Sequence, residues 1–162
     1  MIAPLTINRY RSYRNRSYRE HLSQDMSNSP NPPKLILVAG PYRSNTNDDP
    51  LLIHANYRRM NEVALEIFRM GHLPLTGEAM ALPLIEVAGF QTLGDAVWNE
   101  IFHPVGRRLV ARVDAVLRIG GPSIGADEMV SLARSTGKPV YLSTAEIGSA
   151  TTWQSDEKQQ AS

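Results

Sequence analysis

Between Asp114 and Tyr141 the chain reads DAVLRIGGPSIGADEMVSLARSTGKPVY, and few folds accommodate that order of residues. Ala115 to Ile119 is apolar almost throughout, the pattern of a parallel strand covered on both faces. Gly120-Gly121-Pro122-Ser123-Ile124-Gly125 then turns the chain. A helix follows, with Met129, Val130, Leu132 and Ala133 as its apolar side. Gly137 is its natural left-handed stop, and Pro139 forbids continuation into the strand that ends at Tyr141. Strand, glycine-rich turn, helix and strand make a βαβ unit. Ser123 or Gly125 leaves backbone N–H groups pointing outward where the helix begins, an arrangement that attracts anions. Asp127 and Glu128 fall in the first turn, where acids gain ~0.3–1 kcal/mol from the helix dipole without any catalytic role. Ligands of open α/β sheets bind outside the carboxyl ends of the strands, so this corner is the expected place for chemistry.

The rest of the chain supplies matching parts. Lys34 to Ala39, KLILVA, is a continuously apolar strand followed at once by Gly40-Pro41-Tyr42-Arg43. Asp49 is placed to cap a helix with Pro50 at its first position, and Ile53, Tyr57, Met60, Ala64 and Ile67 recur at helical spacing up to a stop at Gly71. His72 to Thr76 reads as a second strand, at a sheet edge because Pro74 has no N–H to give a ladder. Glu78 to Gly94 reads as a lid or irregular helical excursion. Glu78 stands at the strand's carboxyl end, either facing the same crevice or as a solvated loop carboxylate. From Asp95 onward Val97, Ile101, Val105 and Leu109 share a helical side that Pro104 is expected to kink or divide. Arg107, Arg108 and Arg112 form a basic side, either solvated or supplying one arginine to a phosphate. The pattern implies an α/β fold: a small Rossmann/flavodoxin-like parallel sheet of about four or five strands with helices on both faces. A strand order of 2-1-3-4 sets Gly40-Pro41-Tyr42 across one crevice from the turn at Gly120 to Glu128.

At 162 residues and 42% hydrophobic content the chain suits one domain, over 34–145, with a single core. There is no cysteine, which excludes disulfides, thiolate catalysis and cysteine-ligated zinc. His21, His54, His72 and His103 have no ligand-like spacing and are read as surface or satisfied histidines, so no metal and no cofactor is expected. No apolar run approaches the ~20 residues of a membrane span, and no signal peptide is recognised, so a cytoplasmic location without membrane partners is expected. Residues 1–33 hold RYRSYRNRSYRE and then SNSPNPP and are read as a disordered tail, with Met26 as a second candidate start. Arg9, Arg11, Arg14, Arg16 and Arg19 carry the basic charge; without residues 1–25 acids are in slight excess. Arg/Tyr interleaving suits single-stranded nucleic acid, but a solvated tail is the plainer reading and nucleic acid is not an expected partner. Residues 146–162 read as a polar C-terminal tail containing Trp153.

The quoted stretches resemble the nucleoside 2-deoxyribosyltransferase superfamily, including its 2′-deoxynucleoside 5′-phosphate N-hydrolase branch. The resemblance lies in AGPY at Ala39–Tyr42, Gly71-His72, the run from Val113 to Asp127, Leu132-Ala133-Arg134 and Gly137–Tyr141, and covers about Leu35 to Leu142. It implies a Rossmann-like sheet, a homo-oligomer, and cleavage or exchange of an N-glycosidic bond by a glutamate nucleophile on the helix after the third strand. Gly40, Pro41 and Tyr42 would line the sugar and base pocket; Arg43, Glu78 and Gly121, outside the resemblance, are read as further substrate-binding candidates. Ser123, Gly125 and Ala126 would cradle the 5′ group.

Two positions depart from that pattern. Counted from Ser123, the nucleophile's place is taken by Met129, and the usual aspartate falls at Gly106. Glu128, one residue and about 100° away on a helix, is then read as the nucleophile, with Asp127 orienting sugar hydroxyls and Glu78 as another candidate. The expected function is an N-glycosidase, or a deoxyribosyltransferase-like enzyme, acting on a nucleoside or nucleoside monophosphate. The alternative is a catalytically silent nucleotide-binding or sensing module that kept the crevice and lost the nucleophile.

Overall fold

Two uninterrupted apolar runs form the centre of a four-stranded parallel sheet, since central strands of such a sheet are covered on both faces. A computed structural model describes residues 31–89 and 96–150. The strands are β1 (Leu35–Ala39), β2 (Leu73–Thr76), β3 (Ala115–Arg118) and β4 (Val140–Tyr141), in the order β2-β1-β3-β4. Ile36 of β1 aligns with Pro74 on one side and Ala115 on the other. Pro74 thus lies on an edge strand, where its missing N–H deprives no further neighbour.

The crossovers are α1 (Pro50–Arg69), the pair α2 (Gly77–Val87) and α3 (Ala96–Val110), and α4 (Ile124–Ser135). Side-chain alternation along the strands divides the core in two. Ile36, Val38, Ala115 and Leu117 pack with Met60 and Ile67 of α1. Leu37, Ala39 and Val116 pack with Val110 of α3 and with Ala126, Met129, Val130 and Ala133 of α4. This is a small Rossmann/flavodoxin-like α/β fold. Asp49 caps α1 by accepting from the Leu51 N–H at 2.8 Å, with Pro50 opening the helix. Gly71 and Gly137 follow α1 and α4 in the left-handed region, at φ 88° and 71°. Among the described residues no helix is long and apolar enough to cross a membrane.

Three segments differ from their sequence reading. The stretch after β2 is a regular helix from Gly77 to Val87, capped by the Thr76 hydroxyl, which accepts from Ala79 N–H at 3.2 Å. Pro83 lies inside it; burial of Ala81 and Ile85 against Trp98 compensates for the lost backbone bond. Helix α3 runs through Pro104 without division, and it buries Trp98, Gly106 and Val110.

The chain beyond β4 is docked at least as far as Ala150. A short 3₁₀ turn spans Thr144–Glu146, Ile147 is 5% exposed, and Ala150 N–H donates to Met70 O at 2.7 Å. Buried His72 secures this segment. Its Nδ1 accepts from Lys34 N–H at 3.2 Å and its Nε2 lies 2.9 Å from Gly148 O, which assigns the Nε2–H tautomer. The Arg/Tyr tail, Met26, residues 90–95 and Trp153 lie outside the described residues.

Candidate functional site

The loops leaving β1, β2 and β3 converge with α3 on a cleft of about 200 Å³ at the carboxyl edge of the sheet. Gly40 ends β1 where a side chain has no room: a Cβ there would stand 3.0 Å from both Ile119 Cγ1 and Met60 Cγ. Gly120 has φ 72°, and a Cβ on it would lie 2.8 Å from Pro41 Cδ. Close packing of these two corners brings the β1 and β3 loops together.

After Gly40, Tyr42 and Arg43 enter the cleft wall. Tyr42 stacks on Trp98 with ring centroids 6.0 Å apart and planes 9° from parallel, and Trp98 stacks on Phe102 at 4.5 Å. Arg43 lies 5.6 Å from the Trp98 ring centroid, a cation–π contact. Its Nε and Nη2 also donate to Asp48 Oδ1 at 3.0 and 2.8 Å. The loop that brings Asp48 back is held by Thr46, whose hydroxyl donates to Arg43 O at 2.7 Å. Asn45, Asn47 and Asp48 take positive φ there, which short polar side chains tolerate better than most.

Glu78 lines the cleft from the first turn of α2 and is 6% exposed. It is the only buried carboxylate among the described residues. Burial pushes its carboxyl up from 4.5 to about 7, offset only in part by its own backbone N–H. Tyr42 is also held toward its neutral form, by burial first and then by the nearby Glu78 charge.

Across from Glu78 is the amino end of α4. Ser123 is its cap: the hydroxyl accepts from Ala126 N–H at 3.3 Å and the carbonyl from Asp127 N–H at 2.9 Å. Arg118, at the end of β3, clamps the loop that leads there. Its Nε donates to Asp127 Oδ1 at 2.8 Å, Nη2 to Gly121 O at 2.7 Å, and Nη1 to Ile119 O.

Of the residues singled out in the sequence, Gly40, Tyr42, Arg43, Glu78, Ser123, Gly125 and Ala126 meet in this cleft. Asp127, Glu128, Pro41 and Gly121 are not part of its lining. The buried side of α4 runs through Ala126, Met129, Val130 and Ala133. Helical rotation therefore turns the two acids away from the sheet. Asp127 is 62% exposed and bound to Arg118; Glu128 accepts from Arg107 Nε at 2.6 Å. Among the described residues no group of three or more His, Asp and Glu side chains is placed to hold a metal ion.

No family model matches the chain, and no curated protein matches it. What the cleft can do follows from its own side chains. It offers a desolvated acid, flat aromatic surfaces and a helix amino terminus, all within one small volume. Trp98, Phe102 and His103 belong to it and were not among the residues read as a site from sequence. The signal available was the four-residue spacing of Trp98 and Phe102 on one helix of a chain with 7% aromatic residues.

Proposed function

We propose that this cleft binds a nucleoside or nucleoside 5′-monophosphate and cleaves its N-glycosidic bond, with Glu78 as the reacting carboxylate. The observation that carries the proposal is Glu78 itself: a carboxyl group buried without an ion-pair partner among the described residues, at a strand's carboxyl end, in a cleft walled by stacked aromatic rings. No cation among the described residues pairs with that acid; only its own backbone N–H and its place in the first turn of α2 favour the charge. A buried acid with no ion-pair partner in a cleft is a candidate for chemistry.

In the proposed reaction a Glu78 oxygen attacks C1′ of the sugar. The N-glycosidic bond breaks, its electron pair leaves with the base, and the base nitrogen takes a proton from solvent water. Water then hydrolyses the glycosyl ester, releasing the sugar and restoring the carboxylate. The aromatic wall of Tyr42, Trp98 and Phe102 suits the planar base, and removal of water around Glu78 strengthens its attraction to the positive charge that develops at C1′. Hydrolysis is preferred to transfer, as in the sequence resemblance.

The test is chromatography of free base after incubation with the common 2′-deoxynucleosides, nucleosides and their 5′-monophosphates. Glu78→Gln is expected to lose about three orders of magnitude in kcat/KM, whereas Asp127→Asn and Glu128→Gln keep the ability to release base. Full turnover by Glu78→Gln, or none by wild type on any member of the panel, removes the proposal.

One observation favours a second reading. Met129 and Gly106, where the resemblance puts carboxylates, both line the cleft. If the loss of those acids ended catalysis, the protein is a nucleotide-binding or sensing module, and calorimetry shows saturable binding with the ligand recovered intact.

A further inference from the structure

Glu78, Ala81 and Ile85 form the buried side of α2, and Trp98 of α3 packs against Ala81 and Ile85. The carboxyl group and the aromatic wall therefore belong to one contact between two helices, and both line the cleft. The three rings of the wall are close to parallel: Tyr42 and Trp98 differ by 9°, Trp98 and Phe102 by 16°, Tyr42 and Phe102 by 25°. Ring faces and a carboxylate attract the same sign of charge, and desolvation strengthens both attractions. One cation already uses this wall, since the Arg43 guanidinium lies 5.6 Å from the Trp98 centroid. That guanidinium is committed to Asp48, whose Oδ1 accepts from both Nε and Nη2. Glu78 is left without a cation among the described residues.

The lining also lacks an acid suited to a base stacked on this wall. Besides Glu78, its charged or titratable side chains are Tyr42, Arg43 and His103. Burial holds Tyr42 toward its neutral form, and an arginine does not release its proton. His103 is directed to α4: its Cε1 is 3.8 Å from where a Cβ on Gly125 would stand, and its Nδ1 is 3.7 Å from Glu128 Oε2. A neutral base needs a proton as its glycosidic bond breaks. A base with a fixed positive charge does not, because the electron pair of the bond cancels that charge and the heterocycle leaves neutral.

We infer that the cleft selects nucleosides whose base carries a fixed positive charge, an N-alkylated purine or a pyridinium, with Glu78 and the rings of Tyr42, Trp98 and Phe102 recognising that charge. This rests on the nucleoside reading above and narrows its substrate class. A Glu78 oxygen bonds to C1′, the bond from C1′ to the cationic nitrogen breaks, and its electron pair neutralises the departing base. Water then cleaves the glycosyl ester, giving the free sugar, the Glu78 carboxylate and one proton to solvent. The leaving base takes up no proton, in keeping with a lining that has no acid placed to supply one.

The experiment measures binding with heterocycles that have no glycosidic bond to cleave, paired so that each cation has a neutral counterpart: 1-methylnicotinamide against nicotinamide, and 7,9-dimethylguanine against 9-methylguanine. Calorimetry near neutral pH gives the ratio of neutral to cationic dissociation constants for wild type, Glu78→Gln and Phe102→Leu, each checked for folding by circular dichroism. Wild type is expected to favour the cation by about tenfold or more, the size of a desolvated cation–π contact. Glu78→Gln brings the ratio close to unity, and Phe102→Leu lowers it by about threefold. A preference in one pair alone supports the inference and assigns the class, pyridinium or alkylated purine. Equal affinity in both pairs, binding of neither member, or an unchanged ratio in either variant overturns it. Base release from nicotinamide riboside, 7-methylguanosine and guanosine is followed separately by chromatography, and the two cations are expected to show the higher kcat/KM. Equal release from all three overturns the narrowing and leaves the N-glycosidase reading standing. A cation preference in binding with no release from any nucleoside supports the cation site and rejects only the catalytic reading.

Discussion

Gly106 and Met129 meet inside the cleft: a Cβ on Gly106 would stand 3.0 Å from Met129 Sδ. The two positions that break the sequence resemblance are therefore one contact between α3 and α4. The thioether occupies the space that the missing side chain on α3 leaves open. Gly106→Ala removes a glycine from a helix interior, which favours the helix by about 0.5–1 kcal/mol, while its methyl group displaces the flexible end of Met129. The expected result is a stability change below about 1 kcal/mol with weaker ligand binding, because the displaced thioether enters the cleft. Urea unfolding and calorimetry with a nucleoside monophosphate measure the two effects; unaltered affinity would show that Met129 moves elsewhere.

Glu78 ties stability to pH. The folded protein holds its proton up to about pH 7, whereas an ordinary glutamate releases it near 4.5. Within that window the folded state binds more proton than the unfolded chain, so stability falls as pH rises and levels off above about 7. A shift of this size is worth roughly 3 kcal/mol. Glu78→Gln is thus expected to exceed wild type in stability at about pH 8 and to match it near pH 4. Urea denaturation at both values decides, and an equal difference at each shows that Glu78 titrates normally.

The same proton controls the proposed chemistry. A nucleophilic Glu78 must be ionised, so kcat/KM for base release rises with pH through an apparent value of about 7. A profile that falls through the same region assigns Glu78 the opposite role, as an acid that protonates the leaving base.

Arg118 is expected to matter more to the corner than its partner Asp127. The arginine side chain is 13% exposed and satisfies two loop carbonyls besides the carboxylate. Arg118→Ala leaves those carbonyls without their donor and should cost about 1–3 kcal/mol; Asp127→Asn, at an exposed ion pair, less than about 1 kcal/mol. Chemical denaturation of both variants provides the comparison, and equal losses contradict the clamp.

Trp98 provides an optical test. It is one of two tryptophans, the other being Trp153, so in Trp153→Phe the fluorescence comes from the cleft wall. Saturable quenching by a nucleoside monophosphate is expected. Unchanged emission at saturation, established by calorimetry, means that the base does not stack there.

The sheet was legible because buried parallel strands leave apolar runs, and LILVA and the AVL of β3 are such runs. The corners at Gly40 and Ser123 were legible because turn and cap chemistry is local. Helix α2 was not, since Pro83 argues locally against a helix that packing on Trp98 sustains. The site was half legible. Glu78 could be placed at a strand end, but its burial depends on α3, more than 17 residues further along the chain. Asp127 and Glu128 attracted attention by sequence proximity to the turn, and only the helix phase, fixed by Ala126 and Met129, shows which way they face.

The hydrogen bond from His72 to Gly148 joins positions 76 residues apart, at the strand-entry side of the sheet. During synthesis all four strands leave the ribosome before Gly148 does. Until then the His72 ring, which accepts from the Lys34 N–H ahead of β1, lacks its second partner. A product shortened before Gly148 therefore has every element of the cleft but lacks the tie that holds the entry ends of β1 and β2 to the far end of the described chain.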